Sequence, residues 1–165
     1  MDTSFYLDKF QKAASQLDKS LLAQKQIEVA VVKYRKDPVV LKLYKRAWSN
    51  QLQDPLTAET RIFFSVWVSV SASEEQKLFY NIHALKLRQL KGYCIQSRKF
   101  ASIFRSSFKE FEHQWKNVSV NFGPLTLMEG WLKTDLENLQ ADIIGLANNF
   151  LEIAHLVDDT LGHFK

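Results

Sequence analysis

The run Arg-Ile-Phe-Phe-Ser-Val-Trp-Val-Ser-Val-Ser at residues 61–71 decides which fold class we expect. Phe64, Val66 and Val68 alternate with Ser65 and Trp67, the period of two that is typical of a strand with one buried face. A strand needs a second one, because its backbone groups must find partners. The nearest apolar run is 78–87, beyond the polar stretch 73–77. We therefore predict an antiparallel hairpin at about 61–71 and 78–88, with a helix capped at Ser73 as the alternative.

On the N-terminal side of this hairpin the spacing of apolar residues favours helices. Tyr6, Phe10, Ala13, Leu17 and Leu21 lie on one helical face, which predicts a helix from about residue 4 to residue 34. The β-branched run 27–32 leaves a strand there as an alternative. Asp37-Pro38 ends this element, and a second helix is expected over 39–52, before Asp54-Pro55.

The C-terminal side carries two further helical patterns. An aromatic stripe predicts a helix over about 97–115, and 118–124 is expected to be a loop or short extended segment. The last pattern alternates spacings of four and three, as the seam of a packed helix does. Its members are Leu132, Leu136, Leu139, Ile143, Leu146, Phe150, Ile153 and Val157. We predict a mainly α (α+β) single domain over 1–165, bundle-like, with long N- and C-terminal amphipathic helices and one small β-hairpin.

The composition indicates a globular protein and argues against a disulfide-rich, secreted or membrane-spanning one. With 46% hydrophobic and 24% charged residues the chain is typical of globular proteins. The one cysteine, Cys94, cannot form an internal disulfide, the N-terminus lacks a secretory pattern, and no apolar run approaches the length of a membrane span. We expect a cytoplasmic protein without membrane contact.

The charge distribution is uneven along the chain. Residues 76–109 contain no acid, whereas 129–163 contain seven acids and one base, Lys133. Basic residues interleaved with aromatic ones favour nucleic-acid binding, and the alternative is a solvated face balanced by the acidic last helix. The candidate nucleic-acid ligands are Lys86, Arg88, Lys91, Arg98, Lys99 and Arg105.

Two pairs with the spacing Glu-x-x-His, Glu110 with His113 and Glu152 with His155, are weak candidates for metal ligands. In both predicted helices they lie off the apolar stripe, so they would face outward, whereas bundle metal ligands project inward. Cys94 with His83 could form a nucleophile and base, but no third residue to orient them is apparent. We therefore predict neither a metal site nor a cofactor, and no catalytic residue.

The sequence favours a non-catalytic binding or protein-interaction module with a protein partner. A nucleic-acid-binding accessory protein that uses the basic stretch 76–109 is the first alternative. An enzyme whose site is assembled from scattered residues is the second. A homo-oligomer formed through helix packing is compatible with the wide apolar face of the last helix.

Overall fold

The chain folds as an α+β protein around a five-stranded antiparallel sheet, in a computed structural model that describes residues 2–35 and 38–165. The strands follow chain order across the sheet, from β1 to β5. They are β1 Glu28–Lys33, β2 Val39–Tyr44, β3 Arg61–Val68, β4 Lys77–Leu85 and β5 Thr126–Lys133. The helices are α1 Thr3–Ser15, α2 Lys19–Lys25, α3 Val70–Glu74, α4 Ser97–Phe108 and α5 Leu139–Gly162. The prediction of a bundle-like domain with one small hairpin is therefore wrong.

The N-terminal prediction fails because two of its segments are strands. The expected helix over 4–34 is divided into α1 and α2, and the alternative strand at 27–32 is the correct one, as β1. The expected helix over 39–52 is replaced by β2 and a short 3₁₀ helix, Arg46–Trp48. All six residues of β2 are buried, because the strand has a neighbour on each side and side chains packed on both faces. Asp37 of the predicted break lies outside the described residues.

The predicted pairing at the centre of the chain is observed, as two strands of a larger sheet. β3 and β4 pair antiparallel, with Phe64 opposite Ile82 and Val66 opposite Tyr80. The connection contains the single helical turn α3, whose cap is Ser69, with a side chain that accepts a hydrogen bond from the backbone N–H of Ala72 at 3.2 Å. The alternative helix beginning at Ser73 is wrong, because 77–85 is strand.

The core lies between one face of the sheet and the long helix α5. The ring of Phe150 in α5 stacks on Phe64 of β3, with centroids 4.6 Å apart, and meets Trp48 edge to face at 6.2 Å. Asp158 of α5 accepts hydrogen bonds from Trp48 Nε1 at 2.8 Å and from Lys45 Nζ at 2.6 Å. These contacts fix α5 across the sheet, and α1 and α4 pack beside it.

Two predicted helices are shorter than expected. The last helix begins at Leu139, because Leu132 belongs to β5 and Leu136 is 57% exposed before the helix starts. From Leu139 onward every seam residue is buried. The aromatic-stripe helix α4 ends at Phe108, and Trp115 is buried beyond a short 3₁₀ helix. In both segments the helical spacing of large apolar residues continues beyond the helix, so that spacing predicted helices that are too long. In the described part of the chain, no helix has the length and apolar character needed to cross a bilayer.

Candidate ligand-binding cleft

A line of polar residues crosses the sheet on the face opposite α5, which we call the outer face. Lys42 of β2 lies opposite Ser65 of β3, Ser65 opposite Asn81 of β4, and Asn81 opposite Glu129 of β5. Residues directly opposite one another in adjacent strands project to the same side of the sheet. We call these four residues the polar row.

The polar row is unusual because most of it is buried. One face of an antiparallel sheet is commonly solvated, and polar residues there need no further explanation. Here Lys42 is 4% exposed, and Ser65 and Asn81 are each 3% exposed. They make up three of the six buried polar residues in the described ranges. Burial of polar groups costs free energy unless partners compensate it, so this row calls for an account of its partners.

Three members of the row are joined by hydrogen bonds. The Ser65 hydroxyl donates to Asn81 Oδ1, and Asn81 Nδ2 donates to Glu129 Oε1 at 3.1 Å. The amide of Asn81 is thereby fixed, because the reverse orientation would place its oxygen against the Glu129 carboxylate. Glu129 is half-buried and lines the cleft from β5.

Lys42 has a different set of partners. Its Nζ donates to the Tyr34 hydroxyl at 2.9 Å and lies 4.7 Å from the centroid of the Phe63 ring. Within residues 2–35 and 38–165, no carboxylate lies within 4.0 Å of this ammonium group. Lysine is almost never fully buried without a paired charge. Among the described residues, the ammonium therefore contacts neutral groups, and its one hydrogen bond to them leaves hydrogens for an additional acceptor.

Aromatic side chains and a second cation surround the row. Trp67 stacks on Phe79 with ring centroids 4.7 Å apart, and the ring centroids of Phe63 and His83 are 5.3 Å apart. The Arg61 guanidinium lies 5.1 Å from the Phe63 centroid and donates to the carbonyl of Ala58. Trp67, Phe63, His83 and Arg61 border an open cleft of about 350 Å³, which we call the outer-face cleft. It is lined by Tyr34, Pro38, Val40, Lys42, Arg61, Phe63, Ser65, Trp67, Asn81, His83 and Glu129.

His83 contributes an uncharged ring to the cleft at neutral pH. Burial lowers the pKa of His83 from 6.5, and the charges of Lys42 and Arg61 lower it further, against an opposing effect of the Leu125 carbonyl and of Glu129. Its Nδ1 lies 3.4 Å from the Leu125 carbonyl oxygen and 3.4 Å from Thr126 Oγ1. The cleft thus places an uncharged imidazole beside the side chains of Lys42, Arg61 and Glu129.

A second cavity, of about 220 Å³, lies at the opposite edge of the described fold near α3 and the start of α5. Its charged lining residues are Lys77, which is half-buried, and Asp135, which is exposed. Neither has the burial that distinguishes Lys42. The outer-face cleft is therefore the better candidate for a site.

The candidate nucleic-acid ligands lie in the segment that follows β4 along the chain, from the short 3₁₀ helix Leu87–Gln89 to α4. Arg88, Lys91, Arg98 and Lys99 are exposed. Lys86 lies 3.3 Å from Glu59, so a carboxylate from outside the acid-free stretch 76–109 competes for this residue.

Arg105 is part of the fold. Its guanidinium donates to the carbonyl oxygens of Phe122, Gly123, Thr126 and Leu127 at 2.9–3.1 Å. Burial lowers the pKa of Arg105. These bonds tie α4 to the loop before β5 and to the first two residues of β5, which leaves this side chain little capacity for phosphate.

The weak metal candidates lie on the surface. Glu110, His113, Glu152 and His155 are all exposed, and the His155 ring packs edge to face on Phe111 at 6.1 Å. The described residues contain no group of three or more His, Cys, Asp or Glu that could hold a metal ion. Cys94 is exposed in the segment before α4, whereas His83 faces the outer-face cleft from β4.

Sequence reasoning missed Lys42, Ser65, Asn81 and Glu129 as site residues. One signal was available, a single lysine within the apolar run Val-Val-Leu-Lys-Leu-Tyr at 39–44, but this run was assigned to a helix. No protein-family model, curated protein or solved structure matches the chain. The cleft must therefore be interpreted from its own geometry.

Proposed function

We propose that the protein is a non-catalytic binding module that holds a small organic anion in the outer-face cleft. The observation that carries the proposal is the buried ammonium of Lys42, which has no carboxylate partner among the described residues. An acidic group of a ligand would supply that partner. A charge-assisted hydrogen bond in such a buried place contributes about 1.5–3 kcal/mol.

The shape and lining of the cleft suggest the rest of the ligand. A volume of about 350 Å³ lies within the range of small-molecule sites. Phe63, Val40 and Trp67 offer apolar contact on either side of the polar row. A flat organic body with a carboxylate, phosphate or sulfonate group fits this combination. The polar groups of the row project from neighbouring strands, which hold them in fixed positions to recognise a ligand. We place the protein in the cytoplasm on the basis of its single, exposed cysteine.

The test is a titration with 1-naphthoate, a planar aromatic carboxylate, followed by two-dimensional amide NMR. The wild-type protein should show saturable shifts at residues of β2, β3 and β4 that face the cleft. Lys42→Met removes the charge but keeps an unbranched side chain, and should weaken binding about 10- to 100-fold. The matched control is Lys91→Met, on an exposed residue away from the cleft, which should leave the affinity within about twofold.

Two results would count against this function. Wild-type protein that gives no saturable shifts with 1-naphthoate at millimolar concentration would refute it. Equal affinity of wild type and Lys42→Met would also refute it, provided that the amide spectrum of the variant shows an intact fold.

A nucleic-acid surface remains a second candidate, favoured by the exposure of Arg88, Lys91, Arg98 and Lys99. Each phosphate contact should add about 0.7–0.9 to the slope of log affinity against log salt concentration. Oligonucleotide titrations at two salt concentrations, with Arg88→Glu/Arg98→Glu as the variant, would measure that slope. Salt-independent or undetectable binding would exclude this surface and leave the cleft as the proposal.

A further inference from the structure

The outer-face cleft has charges of opposite sign at its two sides. Lys42 lies on β2 and Glu129 on β5, with Ser65 and Asn81 between them in the polar row. Neighbouring strands are about 4.8 Å apart, so three strand spacings separate the two backbones by roughly 14 Å. The two charges are therefore too far apart to neutralise each other directly.

Among the described residues, Glu129 resembles Lys42 in having no ionic partner. Its carboxylate accepts one hydrogen bond, from the neutral amide of Asn81, and within the described ranges no cation lies within 4.0 Å of it. Both donors of the Ser65–Asn81 chain point toward this end of the row. The β5 side of the cleft is thus arranged as an acceptor, whereas the β2 side is arranged as a donor.

From this opposition we infer that the ligand is dipolar, with an acidic group at Lys42 and an ammonium or similar donor group at Glu129. The inference rests on the proposed function and specifies its ligand class. Because two strands lie between the strands that carry Lys42 and Glu129, the ligand's acidic and basic groups must be separated by a spacer. An α-amino acid, whose two charged groups share one carbon, is too short. A flat spacer such as one aromatic ring suits the distance and the apolar contacts of Phe63 and Trp67.

Three probes that differ only at the two ends of one ring test this inference. They are 4-(aminomethyl)benzoate, which carries both charges, 4-methylbenzoate, which carries the acid, and 4-methylbenzylamine, which carries the amine. Amide NMR titrations of the wild-type protein should give an affinity for the dipolar probe at least about tenfold higher than for either singly charged probe.

Two substitutions assign each charge of the probe to its side chain. Glu129→Gln keeps an acceptor for Asn81 but removes the charge, and should abolish the advantage of the dipolar probe without weakening 4-methylbenzoate. Lys42→Met should weaken both carboxylate probes by about tenfold or more. The matched control Glu152→Gln, on the exposed side of α5, should change none of these affinities.

The outcomes separate this inference from the proposed function. If the wild type binds 4-methylbenzoate as tightly as the dipolar probe, or Glu129→Gln retains the advantage of the dipolar probe, the ligand is an anion only and the inference is overturned. The proposed function then stands if Lys42→Met still weakens 4-methylbenzoate. If neither carboxylate probe binds the wild type, both are overturned.

Discussion

Replacing Gly130 by alanine should destabilise the protein, although the backbone of this residue is extended and accepts any side chain. Gly130 lies in β5 opposite Tyr80 of β4. A Cβ atom at residue 130 would collide with the Tyr80 hydroxyl, would lie 2.5 Å from its Cζ and would lie 3.0 Å from the carbonyl oxygen of Asn117. Tyr80 is fully buried, and its hydroxyl donates to the carbonyl of Lys116 at 2.6 Å. The ring therefore cannot move aside without loss of packing and of this hydrogen bond.

The expected cost follows from these contacts. Overpacking a closed site costs about 1–3 kcal/mol, and loss of a buried hydrogen bond costs about 1 kcal/mol. The alanine recovers about 0.5 kcal/mol by restricting the unfolded chain. We expect a net loss of about 1.5–3.5 kcal/mol in the free energy of unfolding, or roughly 3–14 °C in Tm for a protein of this size.

Gly145→Ala is the matched control, because it makes the same chemical change where there is space. Gly145 lies within α5, is exposed, and would place no atom within 4 Å of its new Cβ. Alanine in a helix interior should raise the free energy of unfolding by about 0.5–1 kcal/mol. Urea unfolding measures both variants. A stability of Gly130→Ala equal to or above that of the wild type would refute the close packing of Tyr80 against β5.

Three further results are expected. Leu139→Ala and Ile143→Ala should each lose about 2–5 kcal/mol in urea unfolding, because both residues are buried against the sheet, and losses below about 0.5 kcal/mol would contradict that packing. Because the pKa of His83 is lowered on folding, its neutral form stabilises the fold above pH 6.5, and this stability is lost as the pH falls toward the folded pKa. The wild type should then lose more stability than His83→Gln between about pH 6.5 and 5, and parallel profiles would contradict the burial of the ring. Arg105→Met should speed amide exchange in 119–127 by removing donors to four carbonyl groups, and unchanged exchange would show that those bonds stabilise nothing.

Local sequence patterns predicted a helix or a strand correctly where the spacing of apolar residues fits only one of the two. The alternation in 61–71 predicts a strand, which the structure has over 61–68 before α3 begins at Val70. The buried seam from Leu139 to Val157 predicts a packed helix, which is observed. The same reasoning failed for 39–44, where an apolar run too short to show a period fits a strand and a helix equally well. It also extended the last helix to Leu132, because strand and helix residues happened to continue one spacing.

The candidate site could not be predicted from the sequence, because its residues come from β2, β3, β4 and β5 and are brought together only by the register of the strands. Lys42, Asn81 and Glu129 look like ordinary polar interruptions of separate apolar runs. Burial is what makes them exceptional, and burial depends on how the sheet curves and which side chains surround it. The sequence by itself determined one hairpin, one packed helix and an apolar content sufficient for a core. The tertiary structure alone decided that a lysine and a glutamate face one cleft, because strand pairing joins residues as far apart in the chain as Lys77 and Lys133, and no local pattern records such pairs.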